Sequence, residues 1–156
     1  MKNKFLIILP VFLVILATGC TDKKESGKKM SCTLNVENSY EDYTIELSRN
    51  IYYDSNKKVT KTTAHDIISS SNNATLNKYE ESFNRVKNMY KNVKYYDVSV
   101  SKNGNTVTAV TNVDYTKVDT KKLAEITKND TFFEKDGTLK LSTIKKAYED
   151  SGLTCK

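Results

Sequence analysis

The sequence has few of the residues on which recognisable metal, redox and phosphate-binding motifs depend. Its 156 residues include one histidine, three cysteines, five glycines, one proline and no tryptophan. A single histidine excludes a histidine cluster around a metal ion and catalysis by paired imidazoles. Five glycines, two of them within the first 27 residues, are too few for a glycine-rich phosphate cradle. With no zinc-protease, Cys-x-x-Cys or Gly-x-Ser-x-Gly pattern either, the sequence predicts no metal site and no cofactor.

The overall composition is that of one polar globular domain. Apolar residues make up 38% of the chain and aromatic residues 10%, which is enough for a modest core and argues against wholesale disorder. Charged residues account for 28%, and the mean hydropathy is negative. The length also fits a single domain.

The first 20 residues carry an export signal. Lys2 and Lys4 precede an apolar stretch, 5–17, which is shorter than the roughly 20 residues of a membrane span and matches the 7–15 of a secretory signal. The end of this segment, Leu-Ala-Thr-Gly-Cys at 16–20, resembles the lipobox of bacterial lipoproteins. That resemblance implies cleavage before Cys20 and its acylation with lipid such as palmitate, so that Cys20 contacts membrane lipid. Ordinary secretion with an unmodified Cys20 is the alternative.

The chain therefore divides into a signal peptide at 1–19, a lipidated cysteine and tether at 20–31, and one domain at 32–156. The tether has almost no apolar content and no helical or strand period, so we expect it to be flexible. Its four lysines are expected either to be drawn to anionic lipid headgroups or simply to be solvated. Most of the formal charge of +6 falls in the signal and tether. The nearly balanced charge of the domain argues against nucleic-acid binding. The signal and the lipobox-like sequence predict an extracytoplasmic, membrane-anchored location.

Cys32 and Cys155 lie at the two ends of the predicted domain. Outside the cytoplasm thiols can be oxidised, and a bond between these residues would close a loop of more than one hundred residues. A redox couple normally uses closely spaced cysteines, so a structural disulfide is the prediction. Two free thiols are the alternative.

The periodicity of the domain predicts an α+β fold with an antiparallel sheet of about five strands. Alternating apolar residues indicate strands at 30–36 and 43–53, and a threonine-rich third strand at 59–68. Because the third strand has little apolar content, we expect it at an edge or on a solvated surface. Asn103-Gly104 predicts a type I′ hairpin between two further strands. One long helix at 76–93 and two short ones, beginning at Asp119 and spanning 142–151, are expected on one face of the sheet.

The segment VDYTKVDTKKL at 113–123, with the lipobox, the basic tether and the hairpin, resembles the YehR-like family of small bacterial lipoproteins. The resemblance covers most of the mature chain. Since that family has no assigned function, the resemblance implies an α+β lipoprotein fold and carries over no catalytic residue.

Three polar residues of that segment, Asp114, Tyr115 and Lys117, stand where a strand ends and are a candidate ligand contact, because loops at strand ends often carry function. Burial of Tyr115 and solvation of the charged residues is the alternative. The sequence favours a non-enzymatic binding or accessory module that recognises an envelope component or a protein partner. A structural envelope protein, or a hydrolase that uses Asp114, Asp119 or Glu134, remains the alternative.

Overall fold

A computed structural model describes residues 27–129 and 131–156. The predicted signal peptide and Cys20 lie outside the described residues, as does Asp130. Six antiparallel strands form one sheet in the order β4-β5-β3-β2-β1-β6. The strands are β1 (Lys28–Asn38), β2 (Tyr43–Tyr53), β3 (Val59–Ser70), β4 (Tyr96–Asn103), β5 (Thr106–Asp114) and β6 (Thr154–Cys155). The predicted α+β class is confirmed, and the sixth strand is a two-residue addition at the end of the chain.

The described residues also form three helices, namely α1 (Asn73–Tyr90), α2 (Thr120–Thr127) and α3 (Leu141–Asp150). Side chains cap the first two helices, because Asn72 accepts a hydrogen bond from the Ala74 amide at 2.9 Å and Asp119 accepts one from the Lys122 amide at 3.1 Å. The predicted helix start at Asp119 is therefore confirmed. Among the described residues, no helix has the length and apolar character needed to cross a membrane.

All three helices pack on one face of the sheet. The strand register aligns Ile51, Thr62, Val113 and Tyr96 across neighbouring strands on this face. Ile51 lies in one core cluster with residues of α3, Val113 lies in a second cluster with Leu123 of α2, and the Tyr96 ring stacks on Tyr90 of α1 with centroids 4.1 Å apart.

The opposite face carries mostly hydroxyl and amide side chains, and no helix packs on it in the described part of the chain. Ser31 donates to Asn50 at 2.9 Å, and Asn50 donates to Thr63 at 3.3 Å, so neighbouring strands are linked through their polar side chains.

The position of β3 corrects the prediction of an edge strand, because β3 lies between β2 and β5. The alternative of a solvated surface holds for the face of β3 on which no described helix packs, where His65 is exposed. The inward-facing side chains of β3 include Ile68, which is buried, and Asp66, which forms an ion pair with Arg49 of β2. The polar residues of β3 are thus accommodated by partners inside the fold. Composition alone does not reveal such partners.

The start of β1 corrects the boundary of the tether. The sequence places Lys28 and Lys29 in the tether, yet they pair with Tyr53 and Tyr52 of β2. Backbone hydrogen bonds to β2 extend the strand, and they do not require apolar side chains. Fewer residues than expected therefore separate Cys20 from the folded domain.

The last residues of the chain return to the first strand. Cys32, whose side chain is fully buried, forms a disulfide with Cys155 across the β1–β6 pair. The backbones of Ser31 and Lys156 exchange hydrogen bonds of 3.0 and 2.8 Å beside it. The disulfide spans 123 positions of the sequence and lies within a core cluster that includes Ile51 and Ile144.

Candidate functional site

At the end of β5, where the sequence predicts a ligand contact, the chain forms a turn in which Asp114 interacts with Thr116 and Lys117. Asp114 accepts a hydrogen bond from the Thr116 amide at 3.0 Å, and Lys117 lies 3.0 Å from the carboxylate of Asp114. Partial burial raises the pKa of Asp114, but the hydrogen bonds from Thr116 and Lys117 outweigh it and hold the pKa below its ordinary value. Asp114 and Lys117 are at the surface, where they neutralise each other.

Tyr115 follows Asp114 directly, but its hydroxyl is buried in the interior of the domain. The residue as a whole is partly accessible to solvent. Its ring is 6.3 Å from that of Phe133, and burial raises the pKa of the hydroxyl, which hydrogen-bonds to Thr62. The structure therefore does not bring Asp114, Tyr115 and Lys117 together at one surface. A ligand contact by Asp114 and Lys117 stays a prediction.

Of the three carboxylates considered for hydrolysis, Asp119 and Glu134 line one cavity beside α2, and Asp114 is not part of its lining. Asp119 caps α2, while Glu134 pairs with Lys140 at 2.9 Å. His65 is exposed on the helix-free face, and Ser69 on the same face hydrogen-bonds to Thr106. Within 27–129 and 131–156, no three histidine, cysteine, aspartate or glutamate residues are grouped as a metal site requires.

A cavity of about 740 Å³ lies between the β2–β3 turn, the loop before α3 and the first residues of α3. We call it the lysine cavity, because its lining includes five lysines: Lys57, Lys58, Lys135, Lys140 and Lys145. The carboxylates in the lining are Glu134 and Asp136. The lining therefore carries an excess of positive charge.

Backbone hydrogen bonds fix the relative positions of the segments that form the lysine cavity. Val59 donates to the Leu139 carbonyl and Leu141 donates to the Lys57 carbonyl, both at 2.9 Å. The carboxylate of Asp54 accepts from the amides of Asn56 and Lys58, also at 2.9 Å, and shapes the turn. The lysines are thus brought together by the backbone, although they come from segments about 80 residues apart in the sequence.

The charges in the lysine cavity are only partly compensated. Lys140 pairs with Glu134 at 2.9 Å, and Lys58 lies 3.7 Å from Asp136. A hydrogen bond from Thr138, assisted by the charge of Lys58, holds the pKa of Asp136 below its ordinary value.

Two further lysines and a helix end add positive charge. The Nζ atom of Lys57 lies 5.1 Å from the centre of the Tyr53 ring, and neither Lys57 nor Lys135 has an ion-pair partner in the described part of the chain. The N-terminus of α3 has no side-chain cap, so its helix dipole adds to the positive potential. This arrangement can bind an anion without forming a covalent bond.

A neighbouring cavity of about 750 Å³ beside α2 shares the loop at 134–137 but differs in charge. It is lined by two lysines and four carboxylates, among them Asp119 and Glu125. The excess of positive charge is therefore specific to the lysine cavity.

Sequence reasoning missed the lysine cavity, since only the fold brings Lys57 and Lys58 next to Lys135, Lys140 and Lys145. The signal that could have found the site was the density of lysines in two loops of a domain with little net charge.

Comparisons with known proteins identify the fold. No protein-family model matches the chain, and no curated protein matches its sequence. The solution structure of the Escherichia coli YehR protein matches with a TM-score of 0.54 and 16% identity over 83% of this chain and 92% of that one. A solution structure of a protein from Streptococcus pneumoniae TIGR4 matches with a TM-score of 0.52 and 11% identity, over 100% of this chain and 96% of that one. The chain therefore has a YehR-like fold, and at these identities the likeness concerns the fold alone.

Proposed function

We propose that this protein is a lipid-anchored binding module on the extracytoplasmic face of a bacterial membrane, and that its lysine cavity holds an anionic ligand. The observation that carries the proposal is the set of five lysines gathered around one cavity with two carboxylates. The lipobox-like sequence ending at Cys20 supports the anchor.

The pattern of ion pairs favours a ligand with phosphate or carboxylate groups. Exposed pairs such as Lys58 with Asp136 contribute little stability, so a multiply charged anion can compete for their lysines. Lys57 and Lys135 supply charge that no carboxylate of the described chain neutralises. Lysine ammonium groups act as point charges that suit phosphate oxygens.

A binding role is also favoured over hydrolysis. A general acid needs a raised pKa, whereas the pKa of Asp114 is held low by Thr116 and Lys117. Asp119 and Glu134 are each engaged with a separate partner. The proposed module therefore recognises its ligand and does not transform it.

Titration of the lipidated protein in neutral detergent with inorganic phosphate tests the proposal. We expect amide resonances of Lys57 and Ser142 to shift in a saturable way, with chloride at equal ionic strength as the blank. The Lys57→Gln, Lys135→Gln double variant should bind at least about fivefold more weakly, a change of roughly 1 kcal/mol.

The matched control is the Lys78→Gln, Lys102→Gln double variant, which removes the same charge from the region of α1 and the end of β4. It should bind phosphate like the unmodified protein. Absence of localised shifts, or equal weakening by the two double variants, would contradict a specific anion site.

A further inference from the structure

We infer that the anion recognised by the lysine cavity is the phosphate headgroup of anionic phospholipid in the membrane that carries the anchor. The inference rests on the proposed function and names its partner, an anionic lipid surface. It follows from where the chain enters the fold, how much chain lies before that position, and how charge is distributed along the strands.

The chain enters the domain at the end where the lysine cavity lies. Lys28 begins β1 opposite Tyr53, the last residue of β2, and a Cβ atom on Gly27 would be 3.4 Å from the Tyr53 carbonyl. The turn that follows Tyr53 contributes Lys57 and Lys58 to the cavity lining. We call this the tether end of the domain, and the end with the β1–β2 turn the distal end.

The length of the tether decides which end can reach the membrane. Seven residues, 21–27, separate Cys20 from Lys28, and they span at most about 25 Å when fully extended. β1 has 11 residues, which corresponds to about 36 Å along the strand. An anchored domain therefore cannot stand inverted, with β1 perpendicular to the bilayer and its distal end on the headgroups. The tether keeps the tether end within about 25 Å of the headgroups.

Charge along the strands complements this orientation. The tether end carries Lys28 and Lys29, both exposed, in addition to the lysine cavity. The distal end carries Glu37, Glu41 and Asp42, which are also exposed. The nearly balanced total charge of the domain thus conceals a polarity along the strands. An anionic surface attracts the tether end and repels the distal end, within a Debye length of about 10 Å.

Lipid phosphate is favoured over free phosphate because the tether holds the cavity beside a dense layer of headgroups. Because the tether keeps the lysine cavity within about 25 Å of the headgroups, the effective concentration of lipid phosphate at the cavity is high. Each contact between a lysine and a phosphate can therefore be weak. Exposed lysine side chains in an open cavity fit weak, repeated contacts of this kind.

The lipidated protein, reconstituted into vesicles, provides the test. A single thiol for a fluorophore is introduced at the lysine cavity as Asn56→Cys or, as the matched control, in the distal turn as Ser39→Cys; both positions are exposed. The acylated Cys20 and the disulfide of Cys32 with Cys155 leave the new thiol free for specific labelling. Vesicles of phosphatidylcholine, with or without phosphatidylglycerol, contain a headgroup nitroxide lipid as quencher.

We expect phosphatidylglycerol to increase quenching at residue 56 at least about twofold and to leave residue 39 unchanged. The Lys57→Gln, Lys135→Gln variant should lose most of that increase, and the Lys78→Gln, Lys102→Gln variant should keep it. Inorganic phosphate, added at the same total concentration as the phosphatidylglycerol, should not reverse the increase in quenching. Free phosphate is spread through the solution, whereas the headgroups are concentrated beside the tethered cavity.

Equal quenching at residues 56 and 39 overturns the inference. Quenching at residue 56 that does not change with phosphatidylglycerol also overturns it. Complete reversal by inorganic phosphate also overturns it and identifies a free anion as the ligand, in which case the proposed function stands. Loss of both the vesicle effect and the phosphate titration rejects the proposed function together with the inference.

Discussion

Lys28, the first residue of β1, lies directly opposite Tyr53, the last residue of β2. This pairing sets the place where the chain leading from Cys20 joins the sheet. It also puts that place next to the β2–β3 turn, from which Lys57 and Lys58 extend into the lysine cavity. One register position thereby links the predicted anchor to the candidate binding site.

The anchor itself is open to a direct test. Cells supplied with labelled palmitate should incorporate the label into the wild-type protein. The Cys20→Ala variant should contain no label, because Cys20 is the cysteine of the lipobox-like sequence. Gel fluorography of the immunoprecipitated protein measures it. A variant that keeps the label would show that Cys20 is not the lipidated residue.

Loss of the disulfide should destabilise the domain strongly. Cys32 and Cys155 are 123 positions apart, and the chain-entropy model assigns about 4–5 kcal/mol to a loop of that size. The Cys32→Ala, Cys155→Ala double variant should therefore unfold at a much lower urea concentration. As an independent measurement, alkylation of the native, unreduced protein should modify neither residue, and modification of both would refute the bond.

The ion pair of Arg49 and Asp66 should matter more than an exposed pair. Only 15% and 20% of these two side chains are exposed, so Asp66→Asn leaves a partly buried guanidinium without its carboxylate and should cost about 1–3 kcal/mol in unfolding free energy. Asp150→Asn breaks the exposed pair with Lys146, and its cost should stay within about 0.5 kcal/mol. Urea denaturation compares the two, and equal costs would contradict the structure.

Gly137 should tolerate substitution less well than Gly104. Both have positive φ, but a Cβ atom on Gly137 would approach Thr120 Oγ1 to 2.6 Å, whereas Gly104 has nothing within 4 Å. Gly104→Ala should cost about 1 kcal/mol from backbone strain alone, and Gly137→Ala about 1–3 kcal/mol. Thermal unfolding measures the difference. A smaller effect at Gly137 would mean that the loop at 134–137 lies elsewhere.

The carboxyl group of Asp114 should titrate below its ordinary pKa of 3.8. A folded-state pKa below that of the unfolded chain means that Asp114 stabilises the fold at higher pH, and that this contribution is lost as the pH falls through the folded pKa. Thr116→Ala should move the pKa of Asp114 upward, and Thr116→Ser should preserve it. Carbon-13 NMR of the carboxyl group reports both, and an unchanged pKa in Thr116→Ala would argue against the hydrogen bond.

Local patterns predicted most secondary-structure elements well. The hairpin after β4 formed where Asn103-Gly104 indicated, but its two-residue loop is Gly104-Asn105, and only Gly104 of these two has positive φ. That is the pattern of a type II′ turn with glycine first. The loop is therefore one residue later than the predicted Asn103-Gly104. Asn103 pairs with Thr106 and so belongs to the strand, which leaves Gly104 and Asn105 as the loop.

Long-range contacts account for the failures. The threonine-rich β3 is an interior strand that pairs with β2 and β5, and its Asp66 forms an ion pair with Arg49 of β2. Lys28 and Lys29 became part of β1 because β2 supplies backbone partners. In neither case does the local sequence contain the partner, so no periodicity within the segment could have predicted the result.

The sequence by itself determined the α+β class, the hairpin and the helix that starts at Asp119, since these follow from alternation, helical spacing, turn chemistry and capping within a few residues. Only the tertiary structure decided the strand order, the burial of Tyr115 and the assembly of the lysine cavity. The physical reason is that a pocket made from two loops 80 residues apart exists only once backbone hydrogen bonds, such as that from Leu141 to Lys57, have joined them.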